Sequence, residues 1–501
     1  MESLNNLLGG LGDAITPMNL LWVTIGCFLG TAVGVLPGLG SAMAVALLLP
    51  VTFSLDPTGA FIMFAGVYFG GLFGDSTMAI LMNTPGGGTA IASTFEGHRM
   101  AQLGRAPQAL ATSAIGAFIG GFIATVLVVF FAPKLAELAI LFGPAEYFAL
   151  SVFAFLAVAS VVSDSVLKGL ASLVIGLTLA VVGIDGISGA QRLTLGSPEL
   201  FDGISIIVIT VGILALGEVF HVASRIHRTL PVETQKVKGR PFLSRGEFRE
   251  ATPAWLRGTG FGVPFGVIPV GGAEVPTFLA YGTERRLDRR RPDPQFGKGA
   301  IRGLAAPEAA GNATSGTAMG ALLAMGLPTS ATAAIMLAAF RQYGLQPGPL
   351  LFERNADLVW TLLASLFVGL IVLLIINLPF APMWAKLLLI PRPYLYAGIA
   401  VFCGLGVYAT SSAVSDLLLV LIIAFVGFLL RRYGFPLAPA MIGVVLGPIA
   451  ETSLRNALMS GGGDYSILVG STITWVLYGG LLAILAVAVI SRLRSRSSRD
   501  T

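Results

Sequence analysis

The chain has 501 residues, 55% of them hydrophobic and only 11% charged, with a formal net charge of +5. A water-soluble domain carries about 25% charged residues, so a fully solvated surface is excluded and lipid must cover much of this one. The basic excess does not indicate nucleic acid, because Lys and Arg gather in loops and in the tail, where membrane topology places them. Two cysteines, Cys27 and Cys403, lie in apolar runs and make no disulfide framework.

No Lys or Arg precedes Arg99. The first apolar stretch therefore lacks the basic flank of a cleavable signal peptide and reads as a retained membrane segment. A spanning helix needs about 20 mostly apolar residues. Such stretches fall at 16–35, 58–82, 108–132, 145–163, 166–184, 203–222, 358–379, 396–412, 414–430 and 467–491. Four more, 36–55, 258–283, 299–340 and 436–450, are interrupted by glycine and proline. The expected fold is an all-α polytopic membrane protein with about eleven or twelve crossings.

Charge sets the orientation. Residues 223–257 carry eight Lys/Arg against three acids, and 284–302 carry seven against three. The tail holds Arg492, Arg494, Arg496 and Arg499. All three segments are expected in the cytoplasm, while the N-terminus, with only Glu2 and Asp13, favours the other side. The chain then divides into a first transmembrane repeat (1–222), a basic cytoplasmic loop (223–257), a second repeat (258–491) and a basic tail (492–501). Segment 258–283 would have both ends in the cytoplasm. It is too short to cross twice and is broken by Pro264, Pro269, Gly271 and Gly272, so it is expected to be re-entrant.

A pattern recurs. GVLPGLGS (34–41) matches GVIPVGGA (266–273), and MNTPGGGTA (82–90) matches MGLPTSATA (325–333). A G-x-x-P-x-x-L motif follows each: Gly104, Pro107, Leu110, then Gly344, Pro347, Leu350. The ordered set predicts two repeats with broken helices meeting near the midplane, in inverted topology, with a parallel repeat as the alternative.

Each break opens a new helical run, at Ser41, at Gly88 and Thr89, at Gly272, and at Thr329 with Ser330. The first turn of a helix offers unpaired N–H groups and partial positive charge, glycine permits close approach, and hydroxyls add donors. The predicted substrate contacts are Pro37, Gly38, Gly40, Ser41, Asn83, Thr84, Pro85, Gly86, Gly87, Gly88, Thr89, Gly271, Gly272, Asn312, Thr314, Ser315, Pro328, Thr329 and Ser330. No Lys or Arg falls within the windows that hold the four breaks. A carboxylate at the midplane would be held by helix ends, amides and hydroxyls. Asp75, Glu274 and Glu308 are candidate cation or proton sites, with Asn83 and Asn312 as neutral ligands, because ionisable residues within membranes mark pathways. The bland readings are kinking and close packing for the glycines and prolines, and solvated interfacial positions for the acids. His98, His221 and His227 show no metal spacing.

At these motifs the chain resembles the large membrane subunit of the tripartite tricarboxylate transporters, over roughly residues 15–460. The stretches that carry the resemblance are GVLPGLGSAMAVALLLPVTF, FGGLFGDSTMAILMNTPGGG, EGHRMAQLGRAPQAL, VGIDGISGAQRLTLGSPELFDGI, FGKGAIRGLAAPEAAGNATSGTAMGALLAMGLPTS, GLQPGPLLF and RRYGFPLAPAMIGVVLGPIAETSLRNAL. The resemblance implies a secondary carrier coupled to Na+ or H+, in the bacterial inner membrane, for di- and tricarboxylates and some aromatic acids. It implies two partners, a small four-helix membrane subunit and a periplasmic solute-binding protein, and no other cofactor. Departures from the family's pattern occur at Pro269-Val270-Gly271-Gly272, at Gly326-Leu327-Pro328-Thr329, at Glu96 where Asp is common, and at Gly311 where Asn is common.

Two other classes stand beside a carboxylate importer. A membrane-embedded enzyme would need a nucleophile–base pair or metal cluster, and neither H-E-x-x-H nor G-x-S-x-G occurs. A G-x-x-x-x-G-K-[ST] phosphate loop is also absent, so no ATPase of that type is encoded. A passive anion channel, or a carrier of a non-carboxylate solute, would leave the same hydropathy. The carrier reading predicts that Asn83→Ala and Asn312→Ala lose transport.

Overall fold

The computed structural model describes residues 2–36, 39–52, 55–161, 165–225, 234–235, 237, 239–268 and 272–497. Side chains are described for these residues except 2, 51, 161, 392, 411 and 487–497. The first half begins with α1 (Glu2–Ala14), α2 (Pro17–Val35), α3 (Ser41–Thr52), α4 (Pro57–Met82) and α5 (Ile91–Met100). The long α6 (Ala106–Ile140), α7 (Pro144–Val161) and α8 (Val166–Ala180) follow. A two-stranded antiparallel hairpin, β1 (Gly183–Ile184) with β2 (Gln191–Arg192), precedes α9 (Ile206–Thr210) and α10 (Gly217–Ala223), which a π-helical turn joins. The second half contains α11 (Arg245–Val267), α12 (Glu274–Asp288), α13 (Ile301–Met325), α14 (Ala331–Gln342), the short α15 (Pro349–Arg354) and the long α16 (Ala356–Leu387). It ends with α17 (Arg392–Ser411), α18 (Val414–Arg432), α19 (Leu437–Ser460) and α20 (Thr472–Ser497).

The molecule is an all-α polytopic membrane protein. Among the described residues, eight helical stretches are long and apolar enough to cross a bilayer, and four shorter apolar helices accompany them. Large apolar side chains are displayed outward on the peripheral helices, including Leu167, Phe402, Ile422 and Trp475. Water would not tolerate such a continuous surface, whereas acyl chains match it.

Two helices take no part in that surface. Every residue of α4 from Gly59 to Met82 and of α13 from Ile301 to Ala324 is buried. Each is gripped by a glycine seam. Gly26, Gly30 and Gly34 of α2 recur every fourth residue, and a Cβ on any of them would fall 2.3–2.4 Å from the carbonyl oxygens of Met63, Val67 and Gly71 on α4. Gly258, Gly262 and Gly266 of α11 approach Ala306, Ala310 and Thr314 of α13 in the same way, at 2.1–2.3 Å. Only glycine lets backbones come this close, and dispersion then acts along the whole seam. Met63, Val67 and Gly71 stand in the same register to Pro85 as Ala306, Ala310 and Thr314 do to Pro328. The alignment drawn from short motifs is therefore also a packing register. Long helices cross over between the halves: α6 packs on α13 and α16 packs on α4.

Some element bounds differ from expectation. Helix α11 starts at Arg245, inside the stretch read as a basic loop, because Ser244 and Glu247 form a reciprocal capping box. Apolar periodicity begins only later, which is why hydropathy places the start near 258. Helix α8 ends at Ala180, ahead of 184, where the β-hairpin takes over. An ion cluster ties this hairpin to α19: Arg192 and Arg455 each pair with both Asp185 and Glu451, at 2.7–2.9 Å. The Ser188 hydroxyl, followed by the Arg455 guanidinium, holds the Asp185 carboxyl below the usual carboxylate range.

Candidate functional site

The four interruptions converge. Gly40, at the first break, backs onto the carbonyl of Gly86 in the second, where an added Cβ would lie 3.2 Å away. Gly88, just after the second, lies against the carboxyl group of Glu274 at the start of α12. Gly272, in the third, approaches the Ser330 side chain in the fourth. Thr332 closes the ring, its hydroxyl 3.3 Å from that of Ser41 on α3. Pro37, Gly38, Pro269 and Gly271 lie outside the described residues.

The amides of the second break are not bare, as expected from sequence, but already occupied. Asp75, which is 1% exposed, accepts hydrogen bonds from Gly86 N at 2.5 Å and Gly87 N at 2.9 Å. A carboxylate from within the chain therefore takes the seat that the sequence reserved for a ligand. Asp75 serves as the internal anion that satisfies orphan donors at a helix interruption.

The other polar groups sort by partner. Thr314 donates to Gly262 O and Ala310 O, within the seam between α11 and α13, and Ser315 donates to Gly311 O on its own helix. Thr84 donates to Met82 O, and Ser330 caps α14 by accepting from Ala333 N. Thr329 and Pro328 are buried, and Thr329 Oγ1 has no hydrogen-bond partner. Asn83 is exposed and ends α4 in the left-handed region, at φ 56°, as Gly326 ends α13 at φ 69°. Asn tolerates that conformation and glycine does so freely. Asn83→Gly is therefore expected to keep uptake, in place of the loss expected from sequence for removal of this side chain, whereas Asn83→Val should lower stability by about 1–2 kcal/mol. Uptake assays and thermal melts on the two variants check this, and loss of uptake in Asn83→Gly would show that the side chain itself binds.

One polar centre remains. Glu308 is 4% exposed and its Oε2 accepts from Ser76 Oγ at 2.8 Å, while Oε1 has no partner. Asn312, one turn along α13, donates to Glu308 O at 3.0 Å, and its own Oδ1 has no partner. Both residues line a cavity of about 10 Å³ together with Ser76, Thr89 and Gly311. A buried acceptor left unmatched costs about 1–3 kcal/mol. Two such oxygens in one small space make a socket for a single hard cation, a proton or one water. Among the described residues, no three His, Cys, Asp or Glu side chains gather as for a transition metal.

Sequence reasoning missed Ser76, although it adjoins Asp75. From sequence, Glu96 stands out only as a departure from the family's pattern. Glu96 is a fully buried clasp that accepts from Gly297 N, Gly299 N and Ala300 N at 2.6–2.9 Å. It fixes the loop that leads into α13.

The family model of the tripartite tricarboxylate transporter TctA family matches residues 20–442. The chain belongs to that family. A relative in Agrobacterium vitis, described as an uncharacterized 52.8 kDa protein in the TAR-I ttuC' 3'region, is 39% identical over 100% of this chain and 99% of its own length. A second Agrobacterium vitis protein, uncharacterized and from the TAR-II ttuC' 3'region, is 34% identical over 46% of this chain and 95% of its own. No solved structure matches the chain. TctA-family proteins are subunits of transporters, and the ring of interrupted helices lies inside the matched region.

Proposed function

We propose that the chain is the translocating subunit of a secondary importer of small di- and tricarboxylates, driven by a Na+ or H+ gradient across a bacterial inner membrane. Its partners in this reading are a small four-helix membrane subunit and a periplasmic solute-binding protein that delivers the carboxylate. The observation that carries the reading is the pair of orphaned oxygens, Glu308 Oε1 and Asn312 Oδ1, in a cavity of about 10 Å³ beside the ring. One carboxylate with amide and hydroxyl oxygens is a donor set suited to Na+, and Glu308 alone suffices for H+.

In this reading residues 1–222 and 258–491 act as two repeats whose interrupted helices rock about the ring, with 223–257 and 492–501 in the cytoplasm. The amide and hydroxyl groups around Gly88, Thr89, Thr329 and Ser330 hold the substrate. Inverted orientation of the repeats is part of the proposal, and labelling from either side of the membrane at positions 57 and 290 tests it.

The coupling test uses the carrier reconstituted with both partners and supplied with radiolabelled citrate, succinate or benzoate. A thermal-shift screen of the binding protein against carboxylates selects the probe. The expected result is accumulation above the external concentration that disappears when the Na+ and pH gradients are collapsed. Equilibration that ignores both gradients would leave a passive channel in place of a coupled carrier.

A further inference from the structure

A cavity of about 740 Å³ opens where the ends of α6 and α7, the segment from α13 to α15, and the C-terminal half of α19 meet. It lies at the Ile140 end of α6, whereas Arg105 at the other end pairs with Glu247 at 3.0 Å and donates to Gly299 O, so it lies on the face opposite the basic loops. Its floor reaches Gly326 and Leu327 of the fourth break. Tyr147, Ser151, Gln346, Thr452 and Ser453 supply polar lining, and Arg341 is the one charged residue among the described lining.

Arg341 differs from the chain's other shielded arginines. Arg302 pairs with Glu284 at 2.7 Å and Arg431 with Glu218 at 2.6 Å. Arg341 donates to Val445 O at 3.3 Å, and no carboxylate among the described residues lies within ion-pair distance. A guanidinium presents five N–H donors in a planar fork that matches a carboxylate edge. Here the fork lines a cavity of ordinary ligand size and lacks an anionic partner among the described residues.

We propose that Arg341 is the carboxylate-recognising residue of an outer vestibule, where a small di- or tricarboxylate rests before it reaches the ring of breaks. The inference rests on the import reading above. A competing role is purely structural: Arg341 occupies the last turn of α14, where a cation complements the helix terminus. That role would not respond to ligand.

The test uses the reconstituted carrier with its partners and whichever of citrate, succinate or benzoate the unmodified carrier takes up. Arg341→Gln is expected to raise KM by about tenfold or more with little change in maximal rate, and Arg341→Lys to recover part of the loss. A second measurement does not depend on transport. Ser453→Cys places a thiol in the vestibule, while native Cys27 and Cys403 are buried. An anionic methanethiosulfonate should label it faster than a cationic one, and the transported carboxylate should slow that labelling. Both effects should vanish in the Arg341→Gln background. If the carrier transports a carboxylate but Arg341→Gln changes neither KM nor labelling, the vestibule assignment is overturned and import stands. If no carboxylate is transported by the unmodified carrier, the import reading itself falls.

Discussion

Glu308→Gln will abolish concentrative uptake, by about a hundredfold or more, while the protein keeps or gains thermal stability. The two effects have opposite signs because the substitution separates charge from shape. Glutamine fills the same volume, and its amide oxygen can still accept from Ser76, which reaches Glu308 at 2.8 Å. Removing a buried negative charge relieves a desolvation cost that the neutral hydroxyls around it, Ser76 with Ser93 and Ser113, do not offset. What is lost is the anionic oxygen, Oε1, that has no hydrogen-bond partner among the described residues. A hundredfold loss corresponds to about 2.7 kcal/mol, within the range of a hydrogen bond or ion contact to a charged group. Asn312→Leu should reduce uptake in the same assay, since it removes the second orphaned acceptor from the same cavity. Uptake by reconstituted carrier, measured beside melting temperature in detergent, gives both readouts. Near-normal uptake by Glu308→Gln would sink the cation socket, and a collapsed melting temperature would make Glu308 a structural carboxylate like Glu96.

The contrast between Glu308 and Glu96 marks how far sequence alone reaches. The apolar spans α2 and α18 announce themselves because lipid-facing and core-facing positions are both hydrophobic there. Helix α13 does not, since it carries Pro307, Glu308, Asn312 and seven other hydroxyl or glycine positions along a buried rod. Hydropathy measures distance from water, and a helix shielded by other helices need not be greasy. The breaks themselves were legible, because glycine and proline at matched positions have few other uses in a membrane helix. Which of their donors were free was not legible. Asp75 lies two turns before the end of α4 at Met82, and only the folding back of the chain at the break shows that it consumes the amides of Gly86 and Gly87. Arg341 was legible merely as the end of a window without Lys or Arg. Its lack of a carboxylate partner is a statement about space, and no local pattern encodes it.

The glycine seams carry the second large effect. Gly30→Leu, in α2, should prevent the protein from accumulating in folded form, and Gly262→Leu, in α11, should do the same. A Cβ at Gly30 would lie 2.4 Å from Val67 O, and one at Gly262 would lie 2.2 Å from Ala310 O. Both obstacles are backbone, so no rotamer change relieves them and the helices must part. Overpacking of ordinary cores costs about 1–3 kcal/mol, and a full leucine driven between backbones should exceed about 4–5 kcal/mol, the range in which single changes unfold domains. Gly12→Ala in α1 is the control. Nothing lies within 4 Å of its added Cβ, so it should be neutral or stabilise by about 0.5–1 kcal/mol through helix propensity. Folded yield by size-exclusion chromatography, with the melting temperatures of Gly12→Ala and of whatever folded Gly30→Leu and Gly262→Leu accumulates, distinguishes these outcomes. If Gly30→Leu folded with an unchanged melting temperature, the two seams would not be what holds α4 and α13 at the centre. The breaks hang from the ends of these same four helices. Parting a seam therefore moves Gly40 away from Gly86, or Gly272 away from Ser330, and the ring opens with it.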